Sequence, residues 1–278
     1  MQELINSLIS AGIEKTEAKK EIAILQKEFS DLNKIQELVN ERIKTRKPIQ
    51  YLLGKAHFMD FEIKVSPEVL IPRPETEILV EETIRRCIAR YTSPRNDIIR
   101  ILDIGTGSGI IPIALAKHIP NAEIIGIDIK KEIINLAKEN AKTNSVENRI
   151  DFKVYDLFSD DIDNLFKEHK FNLIISNPPY VKEDELKKLK PEVNLHEPKI
   201  ALSGSRENKS GLIYYERIFE LFNCRDVARY VPTMLALEID PPLVNDLKTL
   251  LKKYGLNNFE IVKDYAKLDR CLFINLNP

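Results

Sequence analysis

Cysteine and histidine are scarce in this 278-residue chain: three cysteines, Cys87, Cys224 and Cys271, and four histidines, His57, His118, His169 and His196. The cysteines are scattered, odd in number and never paired as C-x-x-C, which argues against a disulfide framework or a thiolate zinc site and agrees with a reducing compartment. The histidines are equally dispersed, so their spacing offers no metal cluster and no metal is expected. Long apolar runs are missing as well. None reaches the ~18–20 residues of a bilayer span, and Glu3 stands where a targeting signal would carry basic residues ahead of an apolar stretch. The expectation is a cytoplasmic protein, off the membrane and monomeric. An excess of either charge is absent too: Lys+Arg number 42 against 43 Asp+Glu, for a formal net charge of -1. Without a broad basic field, direct contact with nucleic acid is not expected and would have to come from local patches.

What is present is the composition of a globular protein, 43% hydrophobic and 31% charged. A chain near this length can bury about 75% of its unfolded surface, so a full core needs no covalent staples. From Leu4 to about Lys47 the spacing of Leu4, Ile5, Leu8, Ile9, Ile22, Leu25, Phe29, Ile35, Leu38, Val39 and Ile43, with Arg42 on the same stripe, predicts two or three amphipathic helices. Between Ala56 and Val65 apolar and polar residues mix and Ser66-Pro67 follows, which predicts a β-hairpin or an extended linker. Pro72 and Pro74 then stiffen the chain, and Glu75, Thr76 and Glu77 open a helix running toward Cys87.

From Ile98 the pattern changes to short apolar strands alternating with amphipathic helices. Strands are predicted over 98–104, 122–128, 150–155, 173–176, 234–239, 259–262 and 271–276, and helices over 110–118, 131–144, 212–222 and 243–254. The mixed-sign run from Lys182 to Lys190 reads as a solvated helix. Such alternation implies an α/β domain built on a doubly wound, mostly parallel sheet covered on both faces.

Asp103-Ile104-Gly105-Thr106-Gly107-Ser108-Gly109 falls where the first of these strands turns into the first helix, at the carboxyl edge of the predicted sheet. Open α/β sheets place ligands there, and alternate glycines admit a close approach that a Cβ would block. The spacing is G-x-G-x-G, neither the dinucleotide G-x-G-x-x-G nor a loop ending in Gly-Lys-Ser/Thr, so NAD and ATP lose ground. Asp128, closing the second strand, stands where an acidic residue accepts hydrogen bonds from a ribose diol. The fourth strand runs straight into Asn177-Pro178-Pro179-Tyr180. Asn177 offers a side-chain carbonyl, the prolines leave backbone carbonyls without donors, and Tyr180 offers a flat π surface. Two acceptors beside a flat surface suit a planar NH2 group.

The glycine loop, Asp128 and Asn177-Pro178-Pro179-Tyr180 together resemble an S-adenosylmethionine-dependent methyltransferase of Rossmann-like class I fold acting on a planar nitrogen. Lys47-Pro48-Ile49-Gln50-Tyr51-Leu52-Leu53-Gly54, Val69-Leu70-Ile71-Pro72-Arg73-Pro74-Glu75-Thr76-Glu77, Glu192-Val193, Glu197-Pro198 and Ala201-Leu202 narrow the resemblance to the HemK-type glutamine methyltransferases of peptide-chain release factors. The resemblance implies N5-methylation of the glutamine in a release factor's Gly-Gly-Gln loop, with the release factor as partner and S-adenosyl-L-methionine as cofactor. It places Gly105, Thr106, Gly107, Ser108 and Gly109 in the cofactor loop, Asp128 on the ribose, Asp156 and Leu157 beside the adenine, and Asn177 in contact with both cofactor and substrate. Asn177, Pro178 and Tyr180 become the catalytic residues, and Asn177, Pro178, Pro179 and Tyr180 the substrate site. It also divides the chain into a helical recognition domain over 1–52, a hairpin or linker over 53–75 and the methyltransferase domain over 76–278.

Three departures accompany the resemblance. Leu157 stands where an aromatic is common, Glu238-Ile239-Asp240 where Glu-x-Gly is usual, and Ser203 to Gly211 is longer and less rich in glycine than the family's loop. The last two are expected to lie away from the chemistry. Arg73 reads either as a salt-bridged linker residue or as part of the pocket's closure. The competing functions are a glutamine methyltransferase of a ribosomal protein, a nucleic-acid amino methyltransferase and a noncatalytic module that keeps the fold.

Overall fold

The leucines and isoleucines of the first fifty residues, repeating at three- and four-residue intervals, form the sealed faces of α1 (Gln2–Ser10), α2 (Lys15–Glu28) and α3 (Leu32–Thr45), with the short α4 (Ile49–Leu53) behind them. Leu8, Ile22, Leu25, Ile35 and Val39 are buried against one another in a small core of their own. Asp31 caps α3 by accepting the Asn33 amide at 2.9 Å. The computed structural model describes residues 1–91, 98–203, 210–223 and 234–275.

The segment that alternates after Gly54 is an antiparallel hairpin, β1 (Lys55–Phe58) with β2 (Phe61–Lys64). Phe58, Phe61 and Ile63 point into the same apolar cluster as the first helices of the α/β unit, so the hairpin is packed down rather than strung out. Pro74, whose missing amide costs nothing at a first helical turn, opens α5 (Pro74–Tyr91).

Then follow β3 (Ile99–Ile104), α6 (Ile110–His118), β4 (Ala122–Asp128), α7 (Lys131–Thr143), β5 (Ile150–Val154), α8 (Ile162–Glu168) and β6 (Leu173–Ser176). Three short helices, α9 (Glu183–Leu186), α10 (Pro191–His196) and α11 (Lys199–Leu202), lead to α12 (Ile213–Asn223), β7 (Met234–Glu238), α13 (Val244–Lys253), β8 (Phe259–Lys263) and β9 (Asp269–Asn275). Among the described residues the strands form a seven-stranded sheet of order β5-β4-β3-β6-β7-β9-β8, parallel except where β9 runs antiparallel to β7 and β8. The doubly wound, mostly parallel sheet expected from the alternation is present. Alternate strand residues supply two cores: Ile101, Ile124, Ile175 and Phe273 pack under α5, α6, α7 and the hairpin, while Leu102, Ile104, Ile174 and Leu237 pack under α8, α12 and α13.

The topology reverses at β3, which is flanked by β4 on one side and β6 on the other. Register aligns Ile104 with Ile127 and with Ser176, so the glycine loop, Asp128 and Asn177 all leave the sheet at one edge. That edge is the crevice where open α/β sheets bind ligands.

Two elements differ from the sequence reading. Helix α8 lies in an acidic stretch without a long apolar repeat, yet Ile162, Leu165 and Phe166 give it one buried face. The helix expected over 182–190 contracts to α9, because Pro191 forces Lys190 into an extended conformation (ψ 145) and restarts the chain as α10. Leu276, Cys224 and residues 204–209 of the long loop lie outside the described residues. No helix among those described is long and apolar enough to cross a membrane.

Candidate active site

The turn after β3 is shaped by its backbone before any side chain acts. Gly105 (φ 74), Gly107 (φ 53) and Gly109 (φ 85) all lie in the left-handed region that side chains other than glycine rarely adopt. A Cβ on Gly105 would meet nothing within 4 Å, whereas one on Gly109 would come within 3.2 Å of the Ala137 side chain, so the first faces open space and the second seats α6 against α7. The Gly107 amide donates to Asp128 Oδ2 at 3.0 Å, and the Ile129 amide to Oδ1 at 2.8 Å. The carboxylate therefore ties the loop to the end of β4, and the Lys130 amide adds a third backbone hydrogen bond to it.

These residues border a cleft of about 1100 Å³, counting its open mouth, walled by residues 68–73, 104–108, 127–129, 155–157 and 176–179 together with Thr76, Ala201 and Tyr214. Gly105, Thr106, Gly107, Ser108, Asp128, Asp156, Leu157, Asn177, Pro178 and Pro179 all lie on its wall. Gly109 and Tyr180 do not border it: Gly109 is the helix cap of α6, and Tyr180 turns its hydroxyl to Glu238 Oε1 at 3.2 Å. Asp156 forms a tight turn by accepting the Phe158 amide at 2.9 Å. Leu157 is buried and gives its carbonyl to Arg217, while the aromatic rings on the wall are Tyr155 and Tyr214.

Beneath the loop, Asp103 is fully buried beside the buried Thr106 hydroxyl, which favours its ionised form against the burial. Burial, with the negative charge of Asp128 nearby, pushes the Asp103 carboxyl up to about 7. Burial also raises Asp128, opposed by the Gly107, Ile129 and Lys130 amides and the charge of Lys130. Two carboxyl groups on the wall, Asp128 and Asp156, a backbone that leaves room for a ligand, and aromatic walls fit a cofactor that carries positive charge, a ribose diol and a flat base. The donor set fits S-adenosylmethionine.

The sequence reading overlooked a second layer behind Asn177. Asn177 Nδ2 donates to Thr76 Oγ1 at 3.0 Å, and Thr76 Oγ1 donates to Glu238 Oε2 at 2.6 Å. Thr76 was legible only as part of a helix start, and Glu238 only beside a departure from a pattern. In Glu238-Ile239-Asp240 the departure is Asp240, in the place of the usual glycine, whereas the matching Glu238 holds Tyr180 and, through Thr76, Asn177. The loop ending at Gly211, expected to lie away from the Asn-Pro-Pro-Tyr segment, reaches it. A Cβ there would stand 2.5 Å from the Tyr180 carbonyl, so Gly211 rests directly on the reaction motif. Arg73 fulfils both of its readings: it donates to both oxygens of Glu197 at 2.7 Å and lies on the cleft wall. Glu28, His57 and Glu62 lie close enough for one ion, but Lys55 Nζ already stands 2.6 Å from Glu28 and 2.9 Å from Glu62.

Comparison with known proteins agrees with this geometry. A family model described as "Methyltransferase domain" matches residues 96–206. The release factor glutamine methyltransferase of Thermodesulfovibrio yellowstonii is 39% identical over 242 residues, which cover 86% of this chain and 80% of that protein. The protein of the same name from Flavobacterium psychrophilum is 37% identical over 239 residues, covering 86% and 79% respectively. In fold alone, the N-terminal domain of human METTL16 solved with SAH is similar, with a TM-score of 0.55 at 17% identity over 78% of this chain and 76% of that one. With such identity sustained along most of its length, the chain belongs to the release factor glutamine methyltransferase family, whose enzymes depend on S-adenosylmethionine.

Proposed function

We propose that this protein methylates the side-chain nitrogen of the glutamine in the Gly-Gly-Gln loop of a peptide chain release factor. The observation that carries the reading is the amide of Asn177, which borders the cleft with its NH2 engaged by Thr76 and its oxygen left as an acceptor beside the donor-free Pro178 and Pro179. An amide nitrogen shares its lone pair with the carbonyl, a conjugation reflected in the ~18–20 kcal/mol barrier to amide rotation. Asn177 Oδ1 and the Pro178 carbonyl each accept one N–H of the substrate amide, which draws electron density toward the nitrogen and fixes its direction. The bound cofactor supplies a methyl group on a positively charged sulfur, and the nitrogen that takes it gives up one proton to water at the open mouth of the cleft. Since neither acceptor is a strong base, orientation provides most of the acceleration, within a range of about 7–11 kcal/mol for well-aligned reactants.

In the same reading the loop from Gly105 to Gly109 cradles the cofactor, Asp128 takes the ribose, and Asp156 with Leu157 flanks the adenine. Residues 1–52 form the recognition domain, 53–75 the connecting hairpin and 76–278 the methyltransferase domain. The test is labelled methyl transfer to a purified release factor, wild type against one with its loop glutamine replaced. Label in the first and none in the second is expected. Label on both, or on ribosomal protein or nucleic acid alone, would overturn the reading.

A further inference from the structure

We propose that Thr76 and Glu238 are positioning residues that set which end of the Asn177 amide meets the substrate. The inference rests on the reading of Asn177 as the substrate's acceptor and adds what makes it one.

A threonine hydroxyl has a single proton to give. Thr76 and Glu238 are each only 1% exposed, so water does not compete for it. An ionised carboxylate is the stronger acceptor, and the 2.6 Å contact places that proton between Thr76 Oγ1 and Glu238 Oε2. Thr76 is then left with lone pairs alone toward Asn177, whose Nδ2 lies 3.0 Å away. Turning the Asn177 amide by half a rotation would set its oxygen against an oxygen with nothing to donate. An asparagine amide is nearly symmetric in shape, and here the carboxylate two bonds further back breaks the symmetry. The same carboxylate accepts the Tyr180 hydroxyl at 3.2 Å, so one group on β7 orients both polar ends of the reaction motif that follows β6. Its own position is held by the sheet, where Glu238 pairs with Cys271 of β9.

The device depends on Glu238 being ionised. A protonated Glu238 donates to Thr76 Oγ1, which frees the threonine proton to turn toward Asn177 and invites the amide to invert. Burial pushes Glu238 up to about 7, against the hydrogen bonds from Thr76 and Tyr180 and the charge of Arg270, with Glu75 adding to the rise. Asp240, the buried Cys271 and the buried Tyr215, whose hydroxyl donates to the Glu238 carbonyl, complete its titratable surroundings. The acceptor orientation is therefore favoured above about pH 7 and lost below it.

The experiment uses the full chain as wild type, Thr76→Val, Thr76→Ser, Glu238→Gln and Asn177→Ala, with melting curves to confirm folding. Without cofactor or substrate, the Asn177 side-chain NH2 resonances are assigned by their loss in Asn177→Ala. In wild type they should show one protected proton at pH 8 whose shift moves with a midpoint near Glu238's, and Thr76→Val and Glu238→Gln should abolish both features. With a release factor as substrate, Thr76→Val and Glu238→Gln should lower kcat about 10- to 100-fold while S-adenosylhomocysteine affinity stays within about 2-fold, and Thr76→Ser should recover most of the loss. Wild-type resonances in folded Thr76→Val and Glu238→Gln, or unchanged kcat in both, would overturn the inference. Full turnover by Asn177→Ala would instead remove the reading beneath it, an outcome the resonances separate from failure of the relay.

Discussion

Glu192, in the first turn of α10, places its carboxylate 3.1 Å from the guanidinium of Arg42 on α3, 150 positions earlier in the chain. Arg42 is wholly buried and also binds Glu21 at 3.0 Å, while Arg46 pairs with Glu192 and His196 Nε2 lies 2.8 Å from the Thr45 carbonyl. The helical unit is thereby fastened to the segment that follows the reaction motif, which leads back into the cleft wall at Ala201.

Removing the shared cation from this network should be severe. Arg42→Met leaves Glu21 buried without a counter-charge and Glu192 with Arg46 alone, and breaking a buried pair from one side costs about 3–5 kcal/mol. Urea unfolding should show a loss of that size. Adding Glu21→Gln and Glu192→Gln to Arg42→Met should recover much of it, because burial already raises the Glu21 carboxyl and the neutral groups suffer no such penalty. Full stability in the single variant would show that the network contributes nothing.

The sequence disclosed the sheet and the loop because both obey local rules. Glycines at alternate positions after an apolar strand, an acid closing the next strand and Asn-Pro-Pro-Tyr closing the fourth need no distant partner to be recognised. Arg42 could be placed on the buried stripe of α3 but not explained, since its partners are 21 and 150 residues away. Thr76 and Glu238 were invisible as a pair for the same reason, being 162 residues apart. Nothing local separates a threonine that opens a helix from one that also accepts a hydrogen bond from the Asn177 amide. The Tyr180 hydroxyl illustrates the limit from the other side: the motif announces an aromatic, and only the tertiary fold decides that it bonds to Glu238 and stays off the cleft wall.

Stability should fall as pH rises from about 4 to about 7. Asp103 is pushed up to about 7 by burial, above its unfolded value of 3.8, so within that window the folded state holds a proton that the unfolded state has released. The contribution is fully present below the unfolded value and is lost as pH climbs through the folded one; Glu238, raised in the same way from 4.5 to about 7, acts in the same direction. Asp103→Asn should flatten the slope of melting temperature against pH for the protein alone. An identical slope in the variant would mean that Asp103 is ionised throughout.

Gly211→Ala should injure turnover without touching cofactor affinity. The residue has φ +75, and the added methyl would stand 2.5 Å from the backbone oxygen of Tyr180, an atom that cannot swing aside as a side-chain end could. A strained insertion of this kind costs about 1–3 kcal/mol. Relief by shifting the Asn-Pro-Pro-Tyr segment would lower kcat by about 10-fold or more, whereas the loop from Gly105 to Gly109 and its binding of S-adenosylhomocysteine would be undisturbed. Equal losses of kcat and affinity would place the damage elsewhere.

Asp128 is expected to decide cofactor affinity, and its backbone amide contacts make the choice of variant matter. Asp128→Ala removes the acceptor for a ribose diol and also frees the Gly107 amide, so reduced affinity alone would confound direct contact with loss of loop shape. Asp128→Asn separates them. Its single carbonyl oxygen can still receive one backbone amide, but its NH2 cannot accept from a second hydroxyl, so the loop is largely kept while half of the diol recognition is lost. Losing a hydrogen bond to a charged group is worth about 1.5–3 kcal/mol, or about 10- to 150-fold in Kd. Calorimetry with S-adenosylhomocysteine should show that loss in Asp128→Asn, a larger one in Asp128→Ala, and a smaller one in either variant when the ligand is the 2′-deoxy analogue, because the hydroxyl that the carboxylate would have received is already gone. If the deoxy analogue loses as much affinity in the variants as the parent ligand does, Asp128 supports the loop and does not touch the ribose.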